Sequence, residues 1–403
     1  MMLLNNHQGL NNNRVSEINQ NIIRRLLFIN EQVGIAELSK DSGLSIPAVS
    51  RIIDILKEKD EIEVCKRNGG RGQSAGWVRL RAVNDRIICI NVAPFKIEYL
   101  TVDGLGRPLN LVGTVNKPLT TPQNLIDILE EIISSQIKIF PQSQLKVAIA
   151  LHGQVDRKNG ISLVMPQAPW HEPLHIKYLL ERKFRLEVRC DNDCVMRALA
   201  QKWAILREHR DERDFCVINV DYGVGSSFVI NGNIYRGSMY GSGQIGHTVV
   251  DPNGSHCSCG RFGCLETIVS QKAILDTVNR HLKLSQNLSS ELSWDDVVQA
   301  YHADELAVKT IVDYAAATLG RSIYNFLNII NINQIFIYGA IRDFGQTFLD
   351  NIHAQLGVNL FDDSKDEVSS VATLCKYGEL DARQQLSGIS YLYAGSSLYS
   401  NIL

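Results

Sequence analysis

The chain has 403 residues, 45% of them hydrophobic and 21% charged, which is enough apolar material for two or three cored domains and excludes a disordered chain. Its net charge is only −2, so no global field singles out nucleic acid or a membrane surface, and no apolar run approaches the ~20 residues of a membrane span. Nine cysteines, with no basic-then-apolar leader in the first residues, fit a cytoplasmic protein in which clustered thiols are metal ligands before they are disulfides.

The charge is unevenly spread. Residues 1–82 hold 12 Lys+Arg against 9 Asp+Glu, a surplus of three that leaves the remainder at −5. Within this basic segment Ile18, Ile22, Leu26 and Ile29 recur at helical spacing and predict a first helix buried along that face. A second short helix is expected near Ile35 to Lys40, ending at the turn-forming Asp41-Ser42-Gly43. Ser45 is placed to cap a third helix with Pro47 in its first turn. There Val49, Ile52, Ile53 and Leu56 form an inner face, leaving Ala48, Ser50 and Arg51 outward. Ile62 to Leu80 reads as two strands joined by the basic, glycine-rich Lys66-Arg67-Asn68-Gly69-Gly70-Arg71-Gly72. Helix, helix, turn and helix followed by such a loop is the layout of a winged helix-turn-helix. A small helical docking module is the plainer alternative.

Beyond Arg81 the texture changes to apolar strands alternating with helices. Strands are expected at Ile87–Val92, Ile97–Asp103 and Val147–Leu151, with an amphipathic helix at Leu125–Ile137. A second set follows at Phe215–Val220, Ser227–Ile230 and Gln334–Tyr338, and a long helical stretch runs from Glu305 to Ile330. Ile90-Asn91-Val92 and Ile218-Asn219-Val220 open similar strand-turn-strand units. Two like α/β halves with a cleft between them are therefore expected.

The sharpest chemical signal is His247, Cys257, Cys259 and Cys264. Three thiolates and an imidazole within eighteen positions supply the ligand types and number that tetrahedral structural zinc prefers. Gly254, Gly260 and Gly263 let the loop fold back on itself. His256 rivals His247 on spacing.

At these residues the chain resembles the ROK family (repressors, open reading frames and kinases), in particular its NagC/Mlc-type repressors. Gly246-His247-Thr248 through Cys257-Ser258-Cys259-Gly260-Arg261-Phe262-Gly263-Cys264-Leu265-Glu266-Thr267 fits that family's zinc signature, and the Gly-Gly-Arg-Gly loop fits its repressor branch. The resemblance implies a DNA-binding winged helix-turn-helix at 1–82. A duplicated, actin-like ATPase domain with a zinc loop at 247–264 would fill 83–403. It implies a sugar pocket around Asn192, Asp193, His247 and Glu266, Asp193 being the base in members that are kinases. A carboxylate beside a sugar hydroxyl can accept its proton, and a zinc-bound His can present its second nitrogen to a hydroxyl.

The chain departs from the kinases in ways that bear on chemistry. The first turn, Ala93-Pro94-Phe95-Lys96, lacks the Asp-x-Gly-x-Thr pattern, and Pro94 removes a backbone donor, so Mg²⁺ has no evident anchor. The second, Asp221-Tyr222-Gly223-Val224-Gly225-Ser226, keeps two glycines, and Tyr338-Gly339-Ala340 is poor in glycine. Gln244 stands where a sugar-binding Glu is usual, and His152 where Pro is usual. These features predict a non-enzymatic repressor of sugar uptake or metabolism genes, with Asp193 a vestigial base. A homodimer or homotetramer would read a palindromic double-stranded operator through Ser45, Ser50, Arg51, Arg67 and Arg71. The controlling partner is expected to be a sugar, a sugar phosphate or a protein of the phosphotransferase system. In the protein-partner case the partly apolar Ile389–Leu403 is the candidate contact, although core or oligomer interface is its plainer reading. A zinc-containing sugar kinase using ATP is the competing expectation.

Overall fold

The computed structural model describes residues 12–65, 77–81, 85–141, 143–166, 168–208, 210, 212–238, 241, 243–286, 291–356 and 373–393. The Lys66–Gly72 loop, with Arg67 and Arg71, and residues 394–403 lie outside them. Among the described residues no helix is long and apolar enough to cross a membrane.

The head begins with α1 (Asn12–Asn30), α2 (Ile35–Ser42) and α3 (Ile46–Glu58). Gly43 ends α2 in the left-handed conformation at φ 70°, where a side chain is costly, so the turn into α3 falls where the sequence puts it. Ser45 occupies the N-cap position of α3 in extended geometry, but its hydroxyl makes no capping bond, and Pro47 takes over part of the task by needing no donor. Val49, Ile52, Ile53 and Leu56 are buried as expected. A short β1 (Val33–Gly34), unforeseen in the sequence, pairs antiparallel with β3 (Trp77–Leu80), which pairs on its other side with β2 (Ile62–Cys65).

The expected inner face of α1 needs correction. Ile23, Leu27 and Phe28 are the buried apolar residues, whereas Ile18 and Ile22 are 45% and 37% exposed. The cause is a second contact, because α1 packs against the larger domain as well as against its own head. Phe28 meets Trp203 edge-on at 4.6 Å, and Trp203 in turn lies 4.9 Å from the ring of Tyr391. The head core thus runs on into the rest of the molecule without a polar break.

The larger domain is built twice. In the first lobe β4 (Asp85–Ala93) is central, antiparallel to β5 (Lys96–Asp103) and parallel to β7 (Gln144–Leu151). Outside them lie β6 (Gly113–Val115) and β10 (Glu187–Asn192), giving the order β10-β7-β4-β5-β6. In the second lobe β11 (Phe215–Val220) is central, antiparallel to β12 (Val224–Ile230) and parallel to β14 (Gln334–Tyr338). With β13 (Asn233–Tyr235) and β15 (Leu374–Tyr377) its order is β13-β12-β11-β14-β15, the same pattern. A small ribbon, β8 (Gln154–Asp156) with β9 (Ile161–Val164), projects from the first lobe.

Helices α4 (Pro122–Ile139) and α5 (Ile176–Phe184) cover the first sheet, and α6 (Asp193–Arg207) leads from it into the second lobe. The second sheet is covered by α7 (Glu266–Val269), α8 (Gln271–Gln286), α9 (Trp294–His302), α10 (Leu306–Ile330) and α11 (Gly345–Leu356). Finally α12 (Ala382–Ser387) and a short 3-10 turn at Gly388–Leu392 return to the first lobe. Ile389 and Leu392 are buried there, and the Tyr393 hydroxyl donates to the Val147 and Glu187 carbonyls. This part of Ile389–Leu403 is therefore core and not a free surface.

Candidate ligand cleft and metal cluster

Both central strands end at the same place, facing each other across a cleft of about 300 Å³. Each sends one asparagine into it, Asn91 from β4 and Asn219 from β11, at the equivalent positions of the repeat. Both are buried, and both side-chain carbonyl oxygens have no hydrogen-bond partner; the Nε2 of His152, after β7, is likewise buried and unpartnered. Unsatisfied buried polar atoms each cost about 1–3 kcal/mol, so three on one cavity are a strong mark of a place meant to be filled.

The helix α6 starts in the cleft. Asn192 caps it, accepting the Cys194 N–H at 2.8 Å, while its amide nitrogen donates to the Gly153 carbonyl at 2.7 Å. Asn192 therefore fixes the cleft wall, a structural duty that the sequence alone did not separate from ligand contact. Asp193 is buried and accepts from Arg197, one turn along α6, at 3.1 Å. Arg197 also lies 3.8 Å from Asp221, in the second lobe's turn. Burial alone would raise the Asp193 carboxyl, but a hydrogen bond from His152 and the charge of Arg197 prevail and hold it below its ordinary value. Burial opposes charging of His152, yet Asp193 and Glu266 outweigh it and raise its value. Arg197 was missed in the sequence, although its four-residue spacing from Asp193 on a helix would have shown it.

Glu266 accepts the backbone N–H of Val224 at 3.1 Å and lines the cleft beside Gln244 and His247. Gly223 leaves room for the Glu266 and His152 side chains, since a Cβ there would stand 2.8 Å from Glu266 Oε2 and 3.2 Å from the His152 ring. At the cleft's other end the two turns touch. Phe95 of the first lies against Tyr222 of the second, ring centroids 4.6 Å apart.

The metal-type cluster sits directly behind this wall. The ligand atoms of His247, Cys257, Cys259 and Cys264 all lie within 4.8 Å of one another. Cys257 Sγ is 3.5 Å from His247 Nδ1 and Cys259 Sγ is 3.6 Å from Cys264 Sγ. Donors bound at ~2.3 Å around tetrahedral zinc stand roughly 3.8 Å apart, so three sulfurs and one nitrogen at these separations fit the ion. His256 is resolved out of the set, its ring packing on Phe262 at 5.1 Å. Gly263 makes the loop possible: it adopts φ 65°, and a Cβ would fall 1.4 Å from the Asp251 carbonyl.

On the head, Ser45 and Arg51 are exposed and Ser50 is half-buried, so α3 offers the first two outward.

Two α/β lobes of one topology, closed on a polar cleft, define an actin-like duplicated protein. The chain belongs to the ROK family, whose profile matches residues 87–383. It is 42% identical over 396 residues to the uncharacterized protein YphH of Escherichia coli, covering 96% of this chain and 98% of that one. It is 25% identical over 373 residues to the xylose repressor of Caldicellulosiruptor bescii, covering 87% and 90%. Among solved structures, a ROK family transcriptional regulator homologous to E. coli Mlc superposes with a TM-score of 0.75 at 20% identity, covering 96% of this chain and 98% of that one. A ROK family glucokinase from Streptomyces griseus, in complex with glucose and AMPPNP, gives 0.63 at 20% identity, covering 76% of this chain and 98% of the kinase.

Proposed function

We propose that the protein is a DNA-binding transcriptional repressor of sugar uptake or metabolism genes, in which residues 1–82 form a winged helix-turn-helix and residues 83–403 sense a ligand without transforming it. The observation that carries this reading is the state of Asp193. A general base must be free to take a proton, and this carboxylate is buried and ion-paired with Arg197 at 3.1 Å. The contact of Phe95 with Tyr222 joins the two turns that a nucleotide's phosphates would have to enter. The cleft nonetheless keeps unpartnered polar atoms at Asn91, His152 and Asn219, which suits recognition of a polyhydroxyl ligand or its phosphate. Repressor names among the relatives, and a regulator structure matched along nearly the whole chain, support the same assignment.

In this reading zinc is held by His247, Cys257, Cys259 and Cys264, and supplies stiffness and no reaction. His247 would turn its second nitrogen toward the cleft, while Gln244, Glu266 and the Asp193–Arg197 pair set which hydroxyls are accepted. Ser45, Ser50 and Arg51 would meet the major groove, with Arg67 and Arg71 on the backbone or the minor groove. A homodimer or homotetramer would match a palindromic site, and ligand binding, or a phosphotransferase-system protein, would change the spacing of the heads.

The test is a pair of assays on the full chain. Mobility shifts on DNA upstream of its own gene and neighbouring sugar genes should show sequence-specific binding. A coupled ADP-release assay over hexoses and amino sugars should show no turnover. Sugar-dependent ATP consumption that is abolished in Asp193→Asn would overturn the reading in favour of a kinase.

A further inference from the structure

A second cavity, of about 170 Å³, lies at the seam between head and sensor. Its wall takes Arg25 from α1, Lys202 and Trp203 from α6, and Arg210 and Arg213 from the segment leading into β11. Arg210 is already committed to Glu208 at 2.7 Å and to Glu212 at 3.3 Å, so Lys202 and Arg25 are the cations that bear on an occupant. Lys202 is the anomaly. Only 9% of it is exposed, and among the described residues it has neither a hydrogen bond nor an ion pair. Its stem is buried along the wall while its ammonium meets no counter-charge in the protein, which is the arrangement an anion in the cavity would satisfy. Arg210 Nε and Glu212 Oε2 are also buried without partners in the same wall. Trp203, Phe215 and Val229 line the cavity as well, giving an apolar floor under a cationic rim.

We propose that this seam cavity binds a small phosphomonoester, its phosphoryl group held between Lys202 of the sensor and Arg25 of the head, its carbon skeleton lying on Trp203. A phosphate dianion can satisfy two cations at once, which a single carboxylate does less well, and the apolar floor calls for an organic substituent. The cations come from different domains, so an occupant ties the head to α6. That helix begins at Asp193 in the main cleft, and nine residues at 1.5 Å each put the two sites roughly 13 Å apart along one rod. The seam site is thus a second input to the head, separate from the cleft and formed of different residues. Burial, together with the charge of Arg25, lowers the Lys202 value to about 8, in keeping with a site short of negative charge.

The experiment is calorimetric titration and thermal melting of the full chain at fixed ionic strength. Inorganic phosphate, glycerol 3-phosphate and glucose 6-phosphate are the probes, with glycerol and glucose as controls. Saturable binding of the phosphomonoesters is expected in the native chain and in Asp193→Asn. Lys202→Met and Arg25→Gln should each weaken it at least about tenfold, the loss of one charge-assisted bond. Lys202→Met fills the same space without charge, so ligand-free it should melt higher than the native chain. The proposal would be overturned by no saturable binding, by binding unaffected by Lys202→Met, by binding lost in Asp193→Asn instead, or by a lower melting point in ligand-free Lys202→Met. Displacement of the probes by non-specific duplex DNA would instead assign the cations to the DNA backbone, and would also overturn it.

Discussion

His152 and Asp193 hold each other charged. The raised value of His152 is a stabilising contribution fully present below its ordinary 6.5 and lost as pH climbs through the raised value. The lowered value of Asp193 contributes stability above its ordinary 3.8 and fades as pH falls through the depressed value. The pair is therefore strongest between those two limits, and with Arg197 and Glu266 facing it the cleft has a definite charge pattern at neutral pH. We expect the His152 imidazole to titrate above 6.5 by NMR and to move down in Asp193→Asn; an unmoved midpoint would show that the two do not interact. Lys202 behaves in the opposite sense. Its charge is a cost that is full below about 8 and is relieved as pH rises toward the ordinary 10.5. The melting advantage of Lys202→Met should accordingly shrink between pH 8 and 10, which paired thermal melts would measure. Neither effect was legible in the sequence. Asp193 could be named from its motif, but its partners could not, since His152 lies 41 positions away and the Lys202 environment is made by folding α1 onto α6.

Among the elements, the loop from His247 to Cys264 has few apolar residues of its own, and ends on the Glu266 that begins α7. A metal held by its four ligands would fix a cleft wall. Cys264→Ser should lose stoichiometric zinc, measured by metal analysis of the purified protein, and should melt several degrees lower while the helical signal of the remainder persists. If zinc content were unchanged, the ligand set would be wrong. This element was readable beforehand because cysteine chemistry is local: spacing alone nearly defined the cluster, and only the choice between His247 and His256 needed coordinates. The strands were readable for a similar reason, as apolar runs bounded by turns, and Gln334–Tyr338 falls where the pattern put it. Helix α1 was not, because its buried side is decided by what it docks on. Periodicity reports one face for Ile18, Ile22, Leu26 and Ile29, whereas Phe28 is drawn inward by Trp203 and Tyr391. Trp203→Ala should cost about 3–5 kcal/mol of stability in denaturant melts. It should also uncouple any ligand effect on DNA affinity while leaving basal DNA binding in place. Full retention of that coupling would mean the aromatic contact is only packing.

At the scale of the whole molecule the duplication matters most. Two sheets of one topology end in two asparagines, one per lobe, and the cavity between them is sized for a small polar ligand. In kinases built this way the reward for closing is phosphoryl transfer. In the function proposed above, the ion pair of Asp193 with Arg197 and the contact of Phe95 with Tyr222 would leave closure itself as the output. The repeat was visible in the sequence only as two short Ile-Asn-Val echoes, because equivalent strands need share little beyond burial.

The seat of the head joins residues from three distant parts of the chain: Phe28, Trp203 and Tyr391. Because Trp203 lies on the same helix that opens at Asp193 in the cleft, the three rings bind the seat of the head to the rim of the cleft by a single rigid element. A tilt of that helix by even a few degrees would be carried to Phe28 as a lever carries the motion of its short arm, so the aromatic trio is where any such tilt would become a turn of the head.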